Sequence, residues 1–137
     1  MMVRVSDAVT LHHSRDDRFK TARLSLYTVL PASAERSPLA TLLFGILGRG
    51  SERYPRRSLI SRRLDELYGT TLSVRNYLHG DAHVIVYTAE MPEQKFLPTA
   101  DTDTDILDGV VTLLADMLLH PLRDADGLLR ADAVEKE

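Results

Sequence analysis

The histidines are the side chains of this sequence best suited to bind a metal ion, and two of them, His79 and His83, lie four residues apart. On a helix that spacing would point both imidazoles at one ion. A Gly-Asp pair separates them, however, and that pair is typical of a turn between strands. We therefore expect the two histidines to face each other across the end of a hairpin, with a metal site as the alternative.

Three other polar features are explained more simply by a structural role than by metal binding or catalysis. The run DTDTD at 101–105 has the alternating carboxylates of a calcium loop, but it lacks the central glycine and the closing glutamate. It is better explained as the capped start of a helix, where carboxylates are favoured. The adjacent pair His12 and His13 is typical of a solvated loop. His120, directly before a proline, is predicted to be the last residue of a helix.

Arginine is concentrated in one part of the chain, and that concentration has two interpretations. The residues could form a basic patch, or they could cover a solvated helix face and pair with Asp65 and Glu66. They are Arg53, Arg56, Arg57, Arg62 and Arg63. The second interpretation is the simpler one.

Composition excludes several functional classes. The chain has 137 residues, enough for a single domain, and its net charge of −3 gives no reason to expect nucleic-acid binding. Because it has no cysteine, disulfides and thiolate metal sites are excluded. No apolar run is long enough to span a bilayer, and the N-terminus lacks the core of a signal peptide. We therefore expect a cytoplasmic protein without membrane partners.

Alternating apolar residues predict the strands. The stretch 22–30 alternates leucines with polar residues, which indicates a half-buried strand. The stretches 71–78 and 82–90, joined by His-Gly-Asp, predict an antiparallel hairpin. A further short strand is expected at 8–13.

Helical periodicity predicts three helices, at 39–47, 56–68 and 105–120, with glycines or a proline at their ends. The first is expected to bury one face made of Leu39, Leu42, Leu43, Ile46 and Leu47. The sequence therefore predicts a single α+β domain over 1–137, with a mainly antiparallel sheet covered on one face by helices. A last helical pattern, DADGLLRADAVEKE, has no closing residue, so we expect a chain cut within a helix or a frayed end.

The run GRGSERYPRRSLISRRLDELYGTTLSV resembles a signature of the insulinase-type zinc peptidases, also called inverzincins. In that family a helix ends in Gly-Thr or Gly-Ser, and a basic loop with a proline, a helix ending near Tyr-Gly and a strand follow it. The hairpin at 71–90 and the helix ending in LLHPL also look like that family. The resemblance implies part of a mitochondrial processing peptidase-like domain, as an N-terminal fragment of one repeat.

Active members of that family carry H-x-x-E-H on the first helix, where two histidines bind zinc and the glutamate is the general base. Counting back from Gly50 puts Thr41 at the first histidine, Phe44 at the glutamate and Gly45 at the second histidine. The resemblance thus implies a peptidase fold whose catalytic positions are degenerate. It also implies that Glu137 is a relict of the later acidic segment, with the third zinc ligand beyond it.

The resemblance implies a non-catalytic subunit that binds a peptide or a catalytic insulinase-like paralogue and has no cofactor. The alternative is a zinc-dependent metallopeptidase whose divergent site is completed by residues beyond this chain. Neither E-x-x-H nor H-x-x-E occurs in the sequence, which favours the first interpretation. An exposed apolar patch would further favour a symmetric homodimer.

Overall fold

The computed structural model describes residues 1–98 and 105–129. Within them the chain forms strands and helices in the order β1, β2, β3, α1, α2, β4, β5, α3. The strands are Met2–Arg4, Thr10–His12, Thr21–Pro31, Thr71–His79 and Ala82–Pro92, and the helices are Arg36–Leu47, Arg57–Glu66 and Ile106–Leu119. A short 3-10 helix, Gln94–Phe96, follows β5. The class is α+β, as predicted.

The main sheet has three strands in the order β3-β5-β4, and both pairings are antiparallel. The predicted hairpin is formed by β4 and β5, with Gly80 in the turn at a φ of 60°, a conformation that favours glycine. The predicted strand at 22–30 is β3, which pairs with β5 along its whole length. The prediction that these strands share one sheet is confirmed.

The alternation along β5 divides the sheet into two faces. Ile85, Tyr87, Ala89 and Met91 are buried against the helices, because every second residue of a strand points to the same side. The helices, with the C-cap residue of α2, contribute Ile60, Leu67, Ile106, Val110, Leu113, Leu114 and Met117 to this core. The expected cover of helices on one face is therefore present.

A separate hairpin precedes the main sheet. Among the described strands β1 and β2 pair only with each other, with Val3 opposite Leu11, and residues 1–20 are all exposed. The sequence predicted β2, within 8–13, but not β1.

Helix α1 differs from the prediction in its start and in its buried face. It begins at Arg36, and Pro38 lies in its first turn, where backbone N–H groups have no intrahelical partner. Only Ile46 and Leu47 are fully buried, whereas Leu39 is 66% exposed and Leu43 is also exposed. The predicted leucine face is therefore wrong in its N-terminal half, because α1 reaches the core mainly through its C-terminal half.

The later helices follow their end signals more closely. Helix α2 ends before Tyr68 and Gly69, which adopt positive φ angles of 58° and 69°. The side chain of Asp105 accepts a hydrogen bond from the Asp108 N–H at 3.0 Å and caps α3, as predicted for this acidic run. Residues 101–104 of that run lie outside the described residues. His120 is the C-terminal cap of α3, also as predicted.

The last predicted helix has no counterpart in residues 124–129. Asp124 accepts hydrogen bonds through its carboxylate from the N–H groups of Asp126 and Leu128, which forms a turn. Aspartate competes for backbone N–H groups in this way, which favours a turn over a helix at this point of the chain. The remainder of the predicted helix lies outside the described residues.

Candidate functional site

The three positions that the resemblance assigns to the zinc-binding motif, Thr41, Phe44 and Gly45, all lie on α1. The Thr41 hydroxyl donates to the main-chain carbonyl of Ser37 at 3.0 Å, one turn earlier on the same helix. A threonine hydroxyl engaged in this way is a poor ligand for zinc.

Phe44, which the resemblance places at the general base, is partly buried and packs against the core. Its ring centroid lies 6.0 Å from that of Tyr87, with the two planes tilted by 50°. The Tyr87 hydroxyl donates a hydrogen bond to the main-chain carbonyl of Phe44. Burial raises the pKa of Tyr87, so this hydroxyl stays protonated. The position serves packing and cannot transfer a proton.

His83 is the imidazole that the structure brings to this part of α1. It is only 3% exposed, and its Nε2 lies 3.5 Å from the Thr41 hydroxyl oxygen. Its Nδ1 has no protein partner among the described residues. The sequence interpretation missed this neighbour, although the alternation of β5 gave the signal, since His83 is in phase with the buried Ile85 and Tyr87.

The expectation that His79 and His83 face each other is wrong. In the β4–β5 ladder His83 is opposite Leu78, and His79 is opposite Ala82. Because neighbouring residues of a strand point to opposite faces, the two imidazoles lie on different sides of the sheet. The H-x-x-x-H spacing therefore does not bring two ligands together.

Metal ligands are sparse in the described part of the chain. No group of three or more histidine, aspartate or glutamate side chains there lies close enough to hold a metal ion. Around Thr41 the structure supplies one imidazole, that of His83. Glu137, the expected relict, lies outside the described residues.

The turn after α1, which carries the Gly-Ser pair of the resemblance, has a clear structural role. Ser51 is completely buried, its N–H donates to the Tyr54 carbonyl at 2.9 Å, and its hydroxyl accepts from the Tyr54 N–H at 3.1 Å. A Cβ at Gly50 would lie 3.0 Å from the Leu122 side chain and 3.1 Å from the Tyr54 carbonyl oxygen. A Cβ at Gly50 would force these neighbours to shift by a few tenths of an ångström. The turn therefore packs the end of α1 closely against the segment after α3.

The arginines are solvated and partly paired. Arg62 and Arg63 both contact Glu66 at 3.3 Å, and Arg53 contacts Asp116 at 3.5 Å. The predicted pairing with Glu66 is confirmed, and the partner of Arg53 lies on α3. Exposed pairs of this kind contribute about 0–1 kcal/mol each, so they give no reason to infer a binding site.

The free edge of β4 is the feature next to α1 that is suited to bind another chain. Among the described strands β4 pairs only with β5, which leaves its other edge open. Val74 on this strand lies beside the C-terminal end of α1, since a Cβ at Gly48 would be 3.7 Å from its methyl group. Val74 and Leu78 are 40% and 66% exposed. Such an edge can accept an extended peptide as an added strand.

This α+β domain is similar to a protein of the metalloprotease-like class. It is 30% identical over 118 residues to the probable inactive metalloprotease YmfF of Bacillus subtilis (strain 168), an alignment that covers 86% of this chain and 27% of that protein. It also superimposes, with a TM-score of 0.90 and 25% identity, on the crystal structure of a conserved protein from Enterococcus faecalis V583.

The structural match covers 99% of this chain and 31% of the Enterococcus protein. The chain thus spans less than a third of either relative. No family model matches it. None of the described helices is both long enough and apolar enough to cross a bilayer.

Proposed function

We propose that this chain is a non-catalytic, insulinase-like peptidase homologue that binds an extended peptide or a catalytic paralogue. The observation that carries the proposal is the state of Phe44, whose ring and carbonyl are both engaged by Tyr87. The name of the Bacillus relative, a probable inactive metalloprotease, supports it. The cytoplasmic location expected from the sequence is part of the same proposal.

The chemistry of a catalytic zinc site explains why Phe44 carries so much weight. Such a site needs three protein ligands and a bound water, and a nearby base must take the proton of that water. At the corresponding positions Thr41 is hydrogen bonded to its own helix, Phe44 has no ionisable group and Gly45 has no side chain. A peptidase fold without these groups can still bind a peptide through the surface that holds the substrate in active enzymes.

We assign peptide binding to the free edge of β4. An added antiparallel or parallel strand would use the unpaired main-chain groups of Thr71–His79 for affinity. The exposed side chains of Val74 and Leu78 would contact alternate residues of the peptide and provide selectivity. This surface needs no metal ion, so it would persist after loss of the catalytic motif.

A zinc measurement tests the non-catalytic part of the proposal. Elemental analysis of the purified chain, after dialysis without chelator, is expected to find zinc far below one ion per chain. A variant with Thr41→His, Phe44→Glu and Gly45→His restores the motif, yet the resemblance implies that the third ligand lies beyond Glu137, so weak binding is expected. Stoichiometric zinc in the unmodified chain would support the alternative, a divergent metallopeptidase.

A peptide titration tests the binding part. The probe is a fluorescein-labelled peptide of about eight alternating valine and threonine residues, the length of strand that this edge can accept. A matched control peptide carries N-methyl groups on every second residue and cannot donate its hydrogen bonds to an edge. Binding of the first peptide and not of the second is expected. Equal binding of both, or of neither, would contradict strand addition.

A further inference from the structure

The side of the main sheet that points away from the helices is apolar and uncovered in the described part of the chain. Tyr27, Val29 and Tyr77 on this side are 60%, 63% and 47% exposed. Between them lie Val84 and Val86 of β5, each 7% exposed. We call these five residues the open sheet face.

The strand register arranges the open sheet face in rows. Tyr27 on β3 and Arg75 on β4 both lie opposite Val86, on its two sides. Val29 and Tyr77 flank Val84 in the same way. The first row therefore has the Tyr27 ring on one side of Val86 and the Arg75 guanidinium on the other. The second row, with Val84 in the middle, is apolar throughout. The end of the sheet beyond them is polar, where Arg23 pairs with Glu90.

The open sheet face is large for an uncovered patch. Two half-exposed tyrosines and the neighbouring valines present roughly 300–400 Å² of apolar surface, a size that on single proteins often marks an interaction site. A sheet normally buries such a face against a second layer of structure. The side chains in the two rows determine which partner can form that second layer.

We propose that a second copy of this chain docks on the open sheet face, sheet against sheet, about a two-fold axis parallel to the strands. That axis places β3 of one copy over β4 of the other. Tyr27 then lies over Arg75 of the second copy, and Val29 lies over Tyr77 of the second copy. The same two contacts recur on the other side of the axis, as symmetry requires.

The chemistry of Arg75 favours a second copy over other occupants. Arg75 is exposed and has no carboxylate partner within the described residues. In the proposed pair its guanidinium meets the face of a tyrosine ring, an arrangement that attracts cations within about 6 Å of the ring centre. Two stacked sheets about 10 Å apart leave the valines of β5 in contact at the axis. The surface is thus complementary to itself.

This inference rests on the partner-binding role proposed above, and it names a surface distinct from the free edge of β4. The first test is sedimentation equilibrium over a wide range of chain concentration. The unmodified chain should reach a monomer–dimer equilibrium. Tyr27→Arg, which places two arginines face to face, should raise the dimer Kd by about tenfold or more. Leu39→Arg changes an equally exposed apolar residue on α1 and should leave the Kd unchanged.

A charge-exchange variant makes the test specific to the proposed axis. Arg75→Glu alone should also weaken the dimer, because the ring loses its cation. Tyr27→Arg combined with Arg75→Glu places each arginine opposite a glutamate of the second copy and should restore most of the lost affinity. Additive weakening in the double variant would overturn the proposed geometry. A monomer at every concentration, or weakening by Leu39→Arg alone, would overturn the proposal itself.

The absence of native cysteine allows a direct distance measurement. Tyr27→Cys and Arg75→Cys are made as separate variants and mixed in the presence of a bis-maleimide that spans about 10 Å, the separation of stacked sheets. Cross-linked heterodimer should form faster in the mixture than homodimer in either variant alone, and equal rates would contradict the axis.

The peptide titration on Tyr27→Arg separates this inference from the function proposed above. Unchanged peptide binding with a lost dimer means that the two surfaces act independently. A chain that still forms the dimer but binds no peptide would contradict peptide binding at the free edge of β4. It would leave the proposed dimer on the open sheet face intact.

Discussion

The hydroxyl of Tyr87 donates to the main-chain carbonyl of Phe44, and the two rings lie 6.0 Å apart. One residue comes from the central strand β5, and the other from the middle of α1. This pair joins the helix to the sheet at Phe44, the position that the resemblance to insulinase-type peptidases assigns to the general base. The contact gives this position a packing role.

The first prediction concerns the hydrogen bond of this pair. Tyr87→Phe keeps the ring contact and removes the donor, so the free energy of unfolding should fall by about 1 kcal/mol. Tyr77→Phe is the matched control, because Tyr77 is 47% exposed on the open sheet face and should change stability little. Urea unfolding followed by circular dichroism measures both. An equal effect of the two substitutions would show that the buried hydroxyl contributes nothing specific.

The second prediction concerns alkaline pH. Burial raises the pKa of Tyr87 in the folded chain, whereas in the unfolded chain a tyrosine ionises at about pH 10. Above that pH the unfolded state binds fewer protons, so stability should fall by up to about 1.4 kcal/mol per pH unit. Below it, the contribution of the neutral tyrosine is fully present.

Tyr87→Phe removes this group and supplies the control for the pH effect. The stability difference between wild type and variant, about 1 kcal/mol at neutral pH, should shrink and then reverse as the pH rises above about 10. Urea midpoints of both proteins across that range measure the difference. Parallel curves would mean that the ionisation of Tyr87 is not linked to unfolding.

The strands were easier to predict from the sequence than the surroundings of the candidate site. The stretches that form β4 and β5 are rich in residues that favour strands and have a glycine turn between them, so their pairing followed from local chemistry. The exposure of Leu39 could not be predicted in this way. Periodicity reveals which residues share a helix face, but not how much of that face contacts the core. His83 was missed because it was considered only as a neighbour of His79 across the hairpin end, and not for the sheet face that its place in the strand 82–90 gives it.

The third prediction concerns the cap of α3. Asp105→Ala removes the carboxylate that accepts from the Asp108 N–H at 3.0 Å, and it should cost about 1 kcal/mol of unfolding free energy. Asp105→Asn keeps an acceptor oxygen and should recover most of that loss. Asp108→Ala, in the same turn but without a capping role, is the control for simple loss of charge. Equal losses for Asp105→Ala and Asp105→Asn would indicate that the charge matters and the cap does not.

The last prediction concerns Gly109, which is buried on α3. An alanine normally stabilises the interior of a helix by about 1 kcal/mol relative to glycine. Here a Cβ would lie 2.5 Å from a methyl carbon of Leu67, a fully buried residue, so the Leu67 side chain would have to shift within the core. Gly109→Ala should therefore lower the free energy of unfolding by about 1–3 kcal/mol, although helix propensity alone would raise it.

Whether Gly109→Ala raises or lowers the free energy of unfolding tests how closely α3 packs on Leu67. The double variant Gly109→Ala with Leu67→Ala makes room for the new methyl group, so it should be less destabilised than the sum of the two single changes. Thr112→Ala, at an exposed position of the same helix, should raise stability slightly through propensity alone. A stabilising effect of Gly109→Ala in urea unfolding would show that α3 does not approach Leu67 this closely.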